Sequence, residues 1–359
     1  MKFSLTSRAT LGIAAGLSTL ALAGVGTAGA STAATSPSFT PVAPATSLGG
    51  ITLGVGDQAG TGAEAVLEAA GIYNSSTGKL KDGLKVTFAD FTNGPAILEG
   101  IESGSLQIGG VGDAPPVFAN PTNNLVIVGA LKSSYSNAAL LVQGGSGINT
   151  IGQLAGKTIG VGTGTSADYH LLSVLLDNGL QPTSVNRTSV SGASCVSELN
   201  AGQIAACDTW SPFVEQGEQD GDVALYNGPP NGSPYSYQVA SATALKNPKY
   251  VLAIRDYLTE LDASYDYVAK HPLKWAQAWA SVTGLSLNVM KAATLDDPYT
   301  PIAVGSLTVT QEQDLVKAFS TAGEIPASYS IAKYVTSAFS DSVTGVWTTT
   351  TTTTKKKKK

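Results

Sequence analysis

Short loops that follow predicted strands carry most of the residues with binding chemistry in this sequence. They combine glycine with hydroxyl, amide and carboxylate side chains, and several lead directly into a predicted helix. In open α/β sheets ligands bind beyond the carboxyl ends of the strands, so a site is expected at these loops. The five loops are Gly56-Asp57-Gln58, Thr92-Asn93-Gly94-Pro95, Gly112-Asp113-Ala114-Pro115-Pro116, Gly162-Thr163-Gly164-Thr165-Ser166 and Asp208-Thr209-Trp210.

The composition of these loops is typical of an anion site built from helix starts. Backbone N–H groups at a helix N-terminus, together with the helix dipole, bind anions without a basic side chain. This suits a chain in which only Arg187 and Arg255 lie beyond the first thirty residues. Each loop alone is equally typical of ordinary helix capping, so the prediction depends on all five sharing one edge.

The glycine-rich run at 160–164 does not complete a nucleotide-binding motif. No Gly-Lys-Ser/Thr follows it, as a P-loop requires. Ala167 stands where a dinucleotide fold usually has its third glycine, and alanine is sometimes tolerated there. However, no acidic residue ends a second strand about 20 residues later, where a ribose would need it.

The histidines and cysteines give little basis for catalysis or metal binding. The chain has two of each, and His170 and His271 are far in sequence from Cys195 and Cys207. His271 lies at a helix junction, whereas His170 lies one turn into a helix and could face a cleft. No Gly-x-Ser-x-Gly nucleophile elbow follows a credible strand. We therefore predict no catalytic residue, no metal and no cofactor.

The elements that position the loops are strands alternating with helices in two blocks, near residues 50–132 and 138–225. Such alternation predicts an α/β fold with parallel strands covered by helices on both faces. A long helical region follows at 247–340. The predicted strands are 51–55, 86–91, 106–111, 125–128, 158–161 and 205–208, and the predicted helices are 62–71, 94–101, 166–177 and one from about 212.

The charge distribution argues against a nucleic-acid partner. Charged residues make up 13% of the 359-residue chain, against about 25% in typical globular proteins. Without Lys2, Arg8 and the five terminal lysines, 14 basic and 26 acidic residues remain, a formal charge of about −12. Phosphate contacts need clustered lysine and arginine, which this acidic body lacks.

The two ends of the chain read as a leader and a low-complexity tail. Residues 1–30 resemble a signal peptide, with Lys2 and Arg8, an apolar run and a small-x-small site at 28–30, so export to a periplasm or cell surface is expected. An uncleaved membrane anchor is the less favoured alternative. We expect a linker at 31–48 and a Thr/Lys-rich tail at 346–359.

The cysteine count is even, and in an exported chain this favours a disulfide between Cys195 and Cys207. Two small buried thiols are the alternative.

Several segments resemble the aliphatic sulfonate, taurine and nitrate binding proteins of ABC importers, and they occur in the right order from about residue 50 to 335. The order is far more specific than any one motif. The segments are GDAPPVFA at 112–119, NGPAILEG at 93–100, GSLQIG at 104–109, LAGKTIGV at 154–161, DTWSPF at 208–213, the pattern from His271-Pro272 to Trp279, and GEIP at 323–326.

This resemblance implies a type 2 periplasmic-binding-protein fold, in which two lobes, each a mixed sheet flanked by helices, close over a small ligand. Lobe 1 would comprise 49–134 and 238–345, and lobe 2 would comprise 135–237, with crossovers near 133–138 and 226–238. The implied partners are a small-molecule ligand and a membrane permease, and we expect a monomer. The implied ligand-binding positions are Asp57, Gln58, Asn93, Gly94, Asp113, Ala114, Tyr135, Ser136, Thr165, Ser166, His170, Asp208 and Trp210.

The carboxylates among these positions leave the ligand's charge open. Asp57, Asp113 and Asp208 would repel an anion such as a sulfonate unless they cap helices or pair with a cation. A pyrimidine-type thiamin precursor or another neutral or cationic solute would bind favourably beside these carboxylates. Nitrate or bicarbonate is a further alternative. An enzyme on this fold is disfavoured, because relatives that cleave aryl sulfinates have a cysteine in the first-strand loop and this chain has Gly56-Asp57-Gln58-Ala59 there.

Overall fold

The computed structural model describes residues 35–58, 62–119, 124–133, 138–227, 233–296, 299–325 and 329–344. The predicted leader and the predicted tail lie outside these ranges. No helix within the described ranges is both long enough and apolar enough for a membrane span.

The first part of the chain alternates strands and helices, as predicted. Three of its four predicted strands are longer than the patterns suggested, whereas the strand predicted at 106–111 begins two residues later and is one residue shorter. A small hairpin between the first two long strands was not predicted. The elements are β1 (Thr52–Gln58), α1 (Ala63–Ala69), β2 (Tyr73–Asn74), β3 (Lys79–Leu80), β4 (Lys85–Phe91), α2 (Gly94–Glu102), β5 (Ile108–Gly112), α3 (Ala114–Ala119) and β6 (Leu125–Lys132).

The second part repeats this alternation. The predicted strand at 158–161 and helix at 166–177 have the bounds found in the structure. The elements are β7 (Ala138–Val142), β8 (Thr158–Val161), α4 (Ser166–Asp177), β9 (Asn186–Ser189), α5 (Ala193–Asn200), β10 (Ala206–Trp210), α6 (Phe213–Asp220) and β11 (Val223–Asn227).

The third part is mainly helical and contributes two strands. These are β12 (Tyr235–Ser241), α7 (Pro248–Val268), α8 (Pro272–Thr283), α9 (Leu287–Asp296), β13 (Thr300–Ile302), α10 (Ser306–Ala322) and α11 (Asp341–Thr344). Prolines at the starts of α7 and α8 fit the first helical turn, where no N–H partner is lost.

The strands form two mixed sheets, which define two lobes. The larger sheet has the order β13-β6-β12-β5-β1-β4-β3-β2, and the smaller has the order β11-β7-β10-β8-β9. The chain passes from the larger sheet to the smaller between Lys132 and Ala138 and returns between Asn227 and Tyr235. The return comes earlier than the predicted boundary at 238, because Tyr235 and Ser236 already pair with β6.

Helices cover both faces of the larger sheet and bury its strands. On one face, α1, α7 and α8 pack with Leu53, Val55 and Trp275 in one apolar cluster. On the other face, α2 and α10 pack Ile97 and Phe319 in a second cluster. Because both faces are covered, β1 shows a continuous buried run instead of alternation.

The segment expected to be a linker is part of the first lobe, so that prediction was wrong for residues 38–48. The backbone amides of Ser38 and Phe39 donate to the carbonyls of Ala332 and Val335, and Val42 N–H donates to Leu245 O. Phe39 also packs against the core. The Ser/Thr/Pro composition concealed this role, because the anchoring hydrogen bonds come from the backbone.

The two cysteines form a disulfide in the second lobe, as predicted. Cys195 on α5 is bonded to Cys207 on β10, and both are buried in a small apolar cluster with Leu141 and Leu199. The bond therefore ties the helix to the central strand of the smaller sheet.

Loss of this disulfide should destabilise the protein. We expect the Cys195→Ala/Cys207→Ala double variant to have a free energy of unfolding lower by about 2–4 kcal/mol, because the unfolded chain gains the freedom of an open loop. Urea denaturation followed by circular dichroism measures the difference. Dithiothreitol should shift the midpoint of the wild type but not that of the variant. An unchanged wild-type midpoint under reduction would contradict the prediction.

Candidate functional site

A cleft of about 450 Å³, which includes space open to solvent, lies between the two lobes at the carboxyl ends of the parallel strands. The helices α2, α3 and α4 begin around it. We call it the first cavity. Its described lining contains glycine, hydroxyl, amide and aromatic side chains and no lysine, arginine or histidine. The lining residues are Gln58, Gly94, Gly112, Pro115, Thr165, Ser166, Trp210, Ser233, Tyr235, Ser236 and Tyr299.

The N-terminus of α4 supplies the second lobe's polar side of this cavity. Thr165 is the N-cap residue, and its Oγ1 donates to Gly162 O at 2.6 Å and accepts from Asp168 N–H at 3.4 Å. Ser166 is the first helical residue. The positive end of the α4 dipole therefore lies at the cavity wall, where it favours a negative ligand group.

The lobes touch at the residue that follows β5. Asp113 N–H donates to Ser166 Oγ at 3.2 Å, so a backbone group of lobe 1 bonds a side chain of lobe 2. Gly112 permits this approach, because a Cβ placed there would lie 2.0 Å from Ser166 Oγ and 3.3 Å from its Cβ. A glycine at Gly112 therefore leaves room for the Ser166 hydroxyl to accept this hydrogen bond.

Further contacts join the two lobes outside the first cavity. Arg187 on β9 pairs with Asp168 at 3.0 Å and with Glu324, which follows α10 in the first lobe. Tyr169 on α4 packs against Phe319 of α10, with ring centroids 5.7 Å apart. The structure thus has the two lobes in direct contact.

Asp57 and Asn93 serve as helix caps. The carboxylate of Asp57 accepts from the backbone N–H groups of Ala63 and Glu64, at 3.1 and 2.9 Å, and so caps α1. Asn93 Oδ1 accepts from Ala96 N–H at 3.1 Å and caps α2, while its Nδ2 donates to Ser191 Oγ of the other lobe at 3.5 Å.

Asp208 is paired with a histidine inside lobe 2. His170 Nδ1 lies 2.9 Å from Asp208 Oδ2, and both side chains are fully buried. Burial raises the pKa of Asp208, and His170 opposes that rise. The prediction that residues 208–210 form a loop was wrong, because β10 continues through Trp210. The pair links α4 to β10, the strand that ends with Trp210.

Asp113 is fully buried beside the cavity. Its Oδ1 accepts from Ala114 N–H at 2.9 Å. Burial raises the pKa of Asp113, against the opposing hydrogen bonds from Ser166 and Ser233. A carboxyl with a raised pKa is more readily protonated, which reduces the repulsion that an anion in the cavity would meet.

The structure brings some of the predicted binding residues to the first cavity and places others behind it. Gln58, Gly94, Thr165, Ser166 and Trp210 line it. Asp57 lines a neighbouring cavity. Tyr135 and Ser136 lie outside the described residues. The residues that support the site without lining the first cavity are Asn93, Asp113, Ala114, His170 and Asp208.

The sequence reasoning missed the lining from β12 and from the segment before β13. Ser233 lies just before β12, and Tyr235 and Ser236 are its first two residues. All three lie inside the predicted crossover at 226–238, and this position between the lobes could have identified them as lining residues. Tyr299 precedes β13, and no local pattern marked it. Within the described ranges, no group of three or more His, Cys, Asp or Glu side chains is arranged to hold a metal ion.

The chain is similar to known transport proteins. Residues 78–271 match the family described as "ABC transporter, phosphonate, periplasmic substrate-binding protein". A curated protein of Escherichia coli (strain K12) named for aliphatic sulfonates binding is 29% identical over 182 residues, which are 50% of this chain and 57% of that protein. The taurine-binding periplasmic protein of the same organism is 27% identical over 210 residues, 57% of this chain and 64% of that protein. The chain therefore spans about three fifths of the length of these relatives.

Solved structures show the same fold. The alkanesulfonate-binding protein SsuA from Xanthomonas axonopodis pv. citri, bound to MOPS, matches with a TM-score of 0.71 and 24% identity. The match covers 79% of this chain and 98% of that chain. The two sheets and the two crossings between them are thus those of a periplasmic binding protein.

Glu64, in the first turn of α1, lies in a strongly negative region. Burial raises its pKa to about 7, and repulsion from Asp57, Glu68 and Asp90 adds to the rise. A carboxyl whose pKa is raised on folding stabilises the protein fully below its unfolded pKa of 4.5, and this stabilisation is lost as the pH rises through about 7.

The Glu64→Gln variant should therefore be more stable than the wild type at about pH 8 and equally stable at about pH 4. We expect a difference of about 1 kcal/mol, because solvent screens this half-buried group. Urea denaturation at several pH values measures it. Glu102→Gln removes an exposed carboxylate elsewhere in the same lobe and serves as the control. A stability difference that does not change with pH would contradict the assignment.

Proposed function

Because the chain belongs to the family of periplasmic substrate-binding proteins of phosphonate ABC transporters, we propose that it captures a small organosulfur anion, such as an alkanesulfonate or taurine. The ligand lies in the first cavity, and the lobes close over it. The observation that carries this proposal is the cavity's ring of hydroxyls and helix starts, free of basic side chains among the described residues.

The lack of a basic group in the described lining favours a sulfonate over a phosphonate. A sulfonate carries one negative charge near neutral pH, and its three oxygens each accept hydrogen bonds. A phosphonate carries up to two charges and usually requires arginine or lysine to balance them. Backbone N–H groups at the start of α4, the hydroxyl of Ser236 and the dipole of α4 suit the single charge.

The positions of the aspartates support an anionic ligand over the cationic or pyrimidine-type alternative. That alternative required Asp57, Asp113 and Asp208 to bind the ligand directly. Asp57 caps α1, and Asp208 pairs with His170. Asp113 has a pKa raised by burial. None of the three aspartates lines the first cavity, which supports the anionic ligand over one that these carboxylates would bind directly.

We further propose that the protein acts outside the cytoplasm, without catalysis, and delivers its ligand to a membrane permease. The family is periplasmic and its members serve transporters. The disulfide also suits an oxidising compartment. Both cysteines are used in that bond, which leaves no thiol for a cysteine nucleophile. The relatives named for sulfonate and taurine binding agree with the proposed ligand class.

A calorimetric titration of the full chain tests the ligand class. We expect propane-1-sulfonate and taurine to bind, with methylphosphonate, nitrate and pyrimidines weaker by at least about tenfold. Ser166→Ala should weaken sulfonate binding by about tenfold or more, because the hydroxyl that accepts from Asp113 N–H and joins the lobes beside the cavity is lost. Ser197→Ala removes an exposed hydroxyl of α5 and serves as the control. Binding of a pyrimidine or phosphonate in preference to every sulfonate would overturn the proposal.

The closing contact gives a second test. Gly112→Ala places a methyl group against Ser166, so its hydroxyl must rotate away and give up the hydrogen bond from Asp113 N–H that joins the lobes. We expect the dissociation constant for propane-1-sulfonate to rise at least about tenfold, since the closed arrangement is disfavoured. Gly152→Ala is the matched control, because nothing lies within 4 Å of the Cβ position at Gly152. Equal affinity in the two variants would contradict this role of Gly112.

A further inference from the structure

Arg187, on strand β9 of lobe 2, forms ion pairs with residues of both lobes. Its Nη1 donates to Asp168 Oδ1 of α4 at 3.0 Å, and its Nη2 donates to Glu324 Oε1 of lobe 1. The side chain of Asp168 is 1% exposed, whereas those of Arg187 and Glu324 are 27% and 20% exposed. One guanidinium thus joins a buried carboxylate of its own lobe to a partly exposed carboxylate of the other.

Asp168 holds the turn that leads into the anion site. Its Oδ2 accepts from Gly164 N–H at 3.0 Å, and its own N–H donates to Thr165 Oγ1 at 3.4 Å. Thr165 and Ser166, which follow in this turn, both line the first cavity. The turn also lies against lobe 1, because a Cβ placed at Gly164 would be 3.4 Å from the ring of Phe118 on α3.

The charge of Asp168 would oppose an anion if it were left uncompensated. The residue lies in the first turn of α4, so a bare carboxylate there would cancel part of the positive field at the helix start. Burial raises the pKa of Asp168, and the Gly164 N–H and the Arg187 guanidinium oppose that rise. Arg187 therefore supplies the positive charge that compensates this buried carboxylate.

We propose that Arg187 is a positioning residue for the bound sulfonate and that it acts through both of its partners. Through Asp168 it neutralises a negative charge beside the helix start and holds the turn that lines the cavity. Through Glu324 it keeps the two lobes together once they have closed. Neither Arg187 nor Glu324 lines the first cavity, so the effect reaches the ligand without a direct contact. This inference rests on the proposed function and adds the residue that links lobe closure to the anion site.

The Glu324→Gln variant removes only the ion pair between the lobes. We expect propane-1-sulfonate to dissociate about two- to fivefold faster, with an association rate within about twofold of the wild type, because the pair forms as the lobes close. Stopped-flow tryptophan fluorescence of the full chain measures both rates, since Trp210 lines the first cavity. The difference in dissociation rate should shrink between about 0.05 and 0.5 M salt, because salt screens a partly exposed pair. Glu102→Gln removes an exposed carboxylate elsewhere in lobe 1 and serves as the control.

The Arg187→Met variant removes both ion pairs and leaves Asp168 buried without its cation. The dissociation constant for propane-1-sulfonate should rise at least about tenfold, because the uncompensated charge lies beside the anion. In the double variant Arg187→Met/Asp168→Asn that charge is absent, and the amide oxygen can still accept from Gly164 N–H. Its dissociation constant should therefore return to within about threefold of that of Glu324→Gln, which lacks only the pair between the lobes. Lys157→Met removes an exposed cation elsewhere in lobe 2 and should leave the dissociation constant unchanged.

The outcomes distinguish this inference from the proposed function. Equal dissociation rates in the wild type and in Glu324→Gln overturn the closing role of the ion pair and leave the sulfonate site standing. A double variant that binds no better than Arg187→Met overturns the electrostatic role, since an arginine needed only for packing would leave both variants equally weak. Failure of propane-1-sulfonate to bind the wild type overturns the proposed function and this inference with it.

Discussion

The hydrogen bond from Asp113 N–H to Ser166 Oγ joins the lobes at the point on which the cavity depends. Gly112 makes it possible by bringing the end of β5 against the start of α4 without an intervening side chain. Each lobe contributes only part of the cavity lining. Since the two parts belong to different sheets, the complete lining exists only when the lobes are in contact.

The local use of carboxylates explains how an acidic protein can hold an anion. The body of the chain carries about twelve excess negative charges. Charges farther than about 8 Å are largely screened at physiological salt, so only those beside the cavity matter strongly. Asp57 and Asp208 have local partners, and Asp113 has a pKa raised by burial. The helix starts then dominate the nearby field.

The parts of the fold that follow from local patterns were predictable. The strand at 158–161 and the helix at 166–177 were predicted with their observed bounds, because glycine, capping threonine and apolar spacing all agree there. The disulfide followed from an even cysteine count. The docking of residues 38–48 on the first lobe could not be predicted in this way, because it depends on backbone hydrogen bonds to residues up to nearly 300 positions away.

The residues of the candidate site were predictable only where a recognisable loop between a strand and a helix contains them. The helix-start residues Thr165 and Ser166 are marked by their loops, whereas Tyr299 reaches the cavity through tertiary packing alone. Asp208 shows a different limit. Because aspartate is uncommon inside strands, a loop was predicted from Asp208 onward. In the structure Asp208 has a buried hydrogen-bond partner, His170, which comes 38 positions earlier in the chain, and β10 continues through Asp208. No local pattern contains that pairing.

Asp57 positions one wall of the proposed sulfonate site without lining the first cavity. Its carboxylate caps α1 and also accepts from Gln58 N–H at 2.9 Å, which fixes the backbone of a residue that lines that cavity. A buried carboxylate is costly unless its oxygens are hydrogen-bonded, and here the α1 and Gln58 amides meet that requirement. One buried residue therefore holds a wall of the anion site in place while backbone N–H groups compensate its own charge.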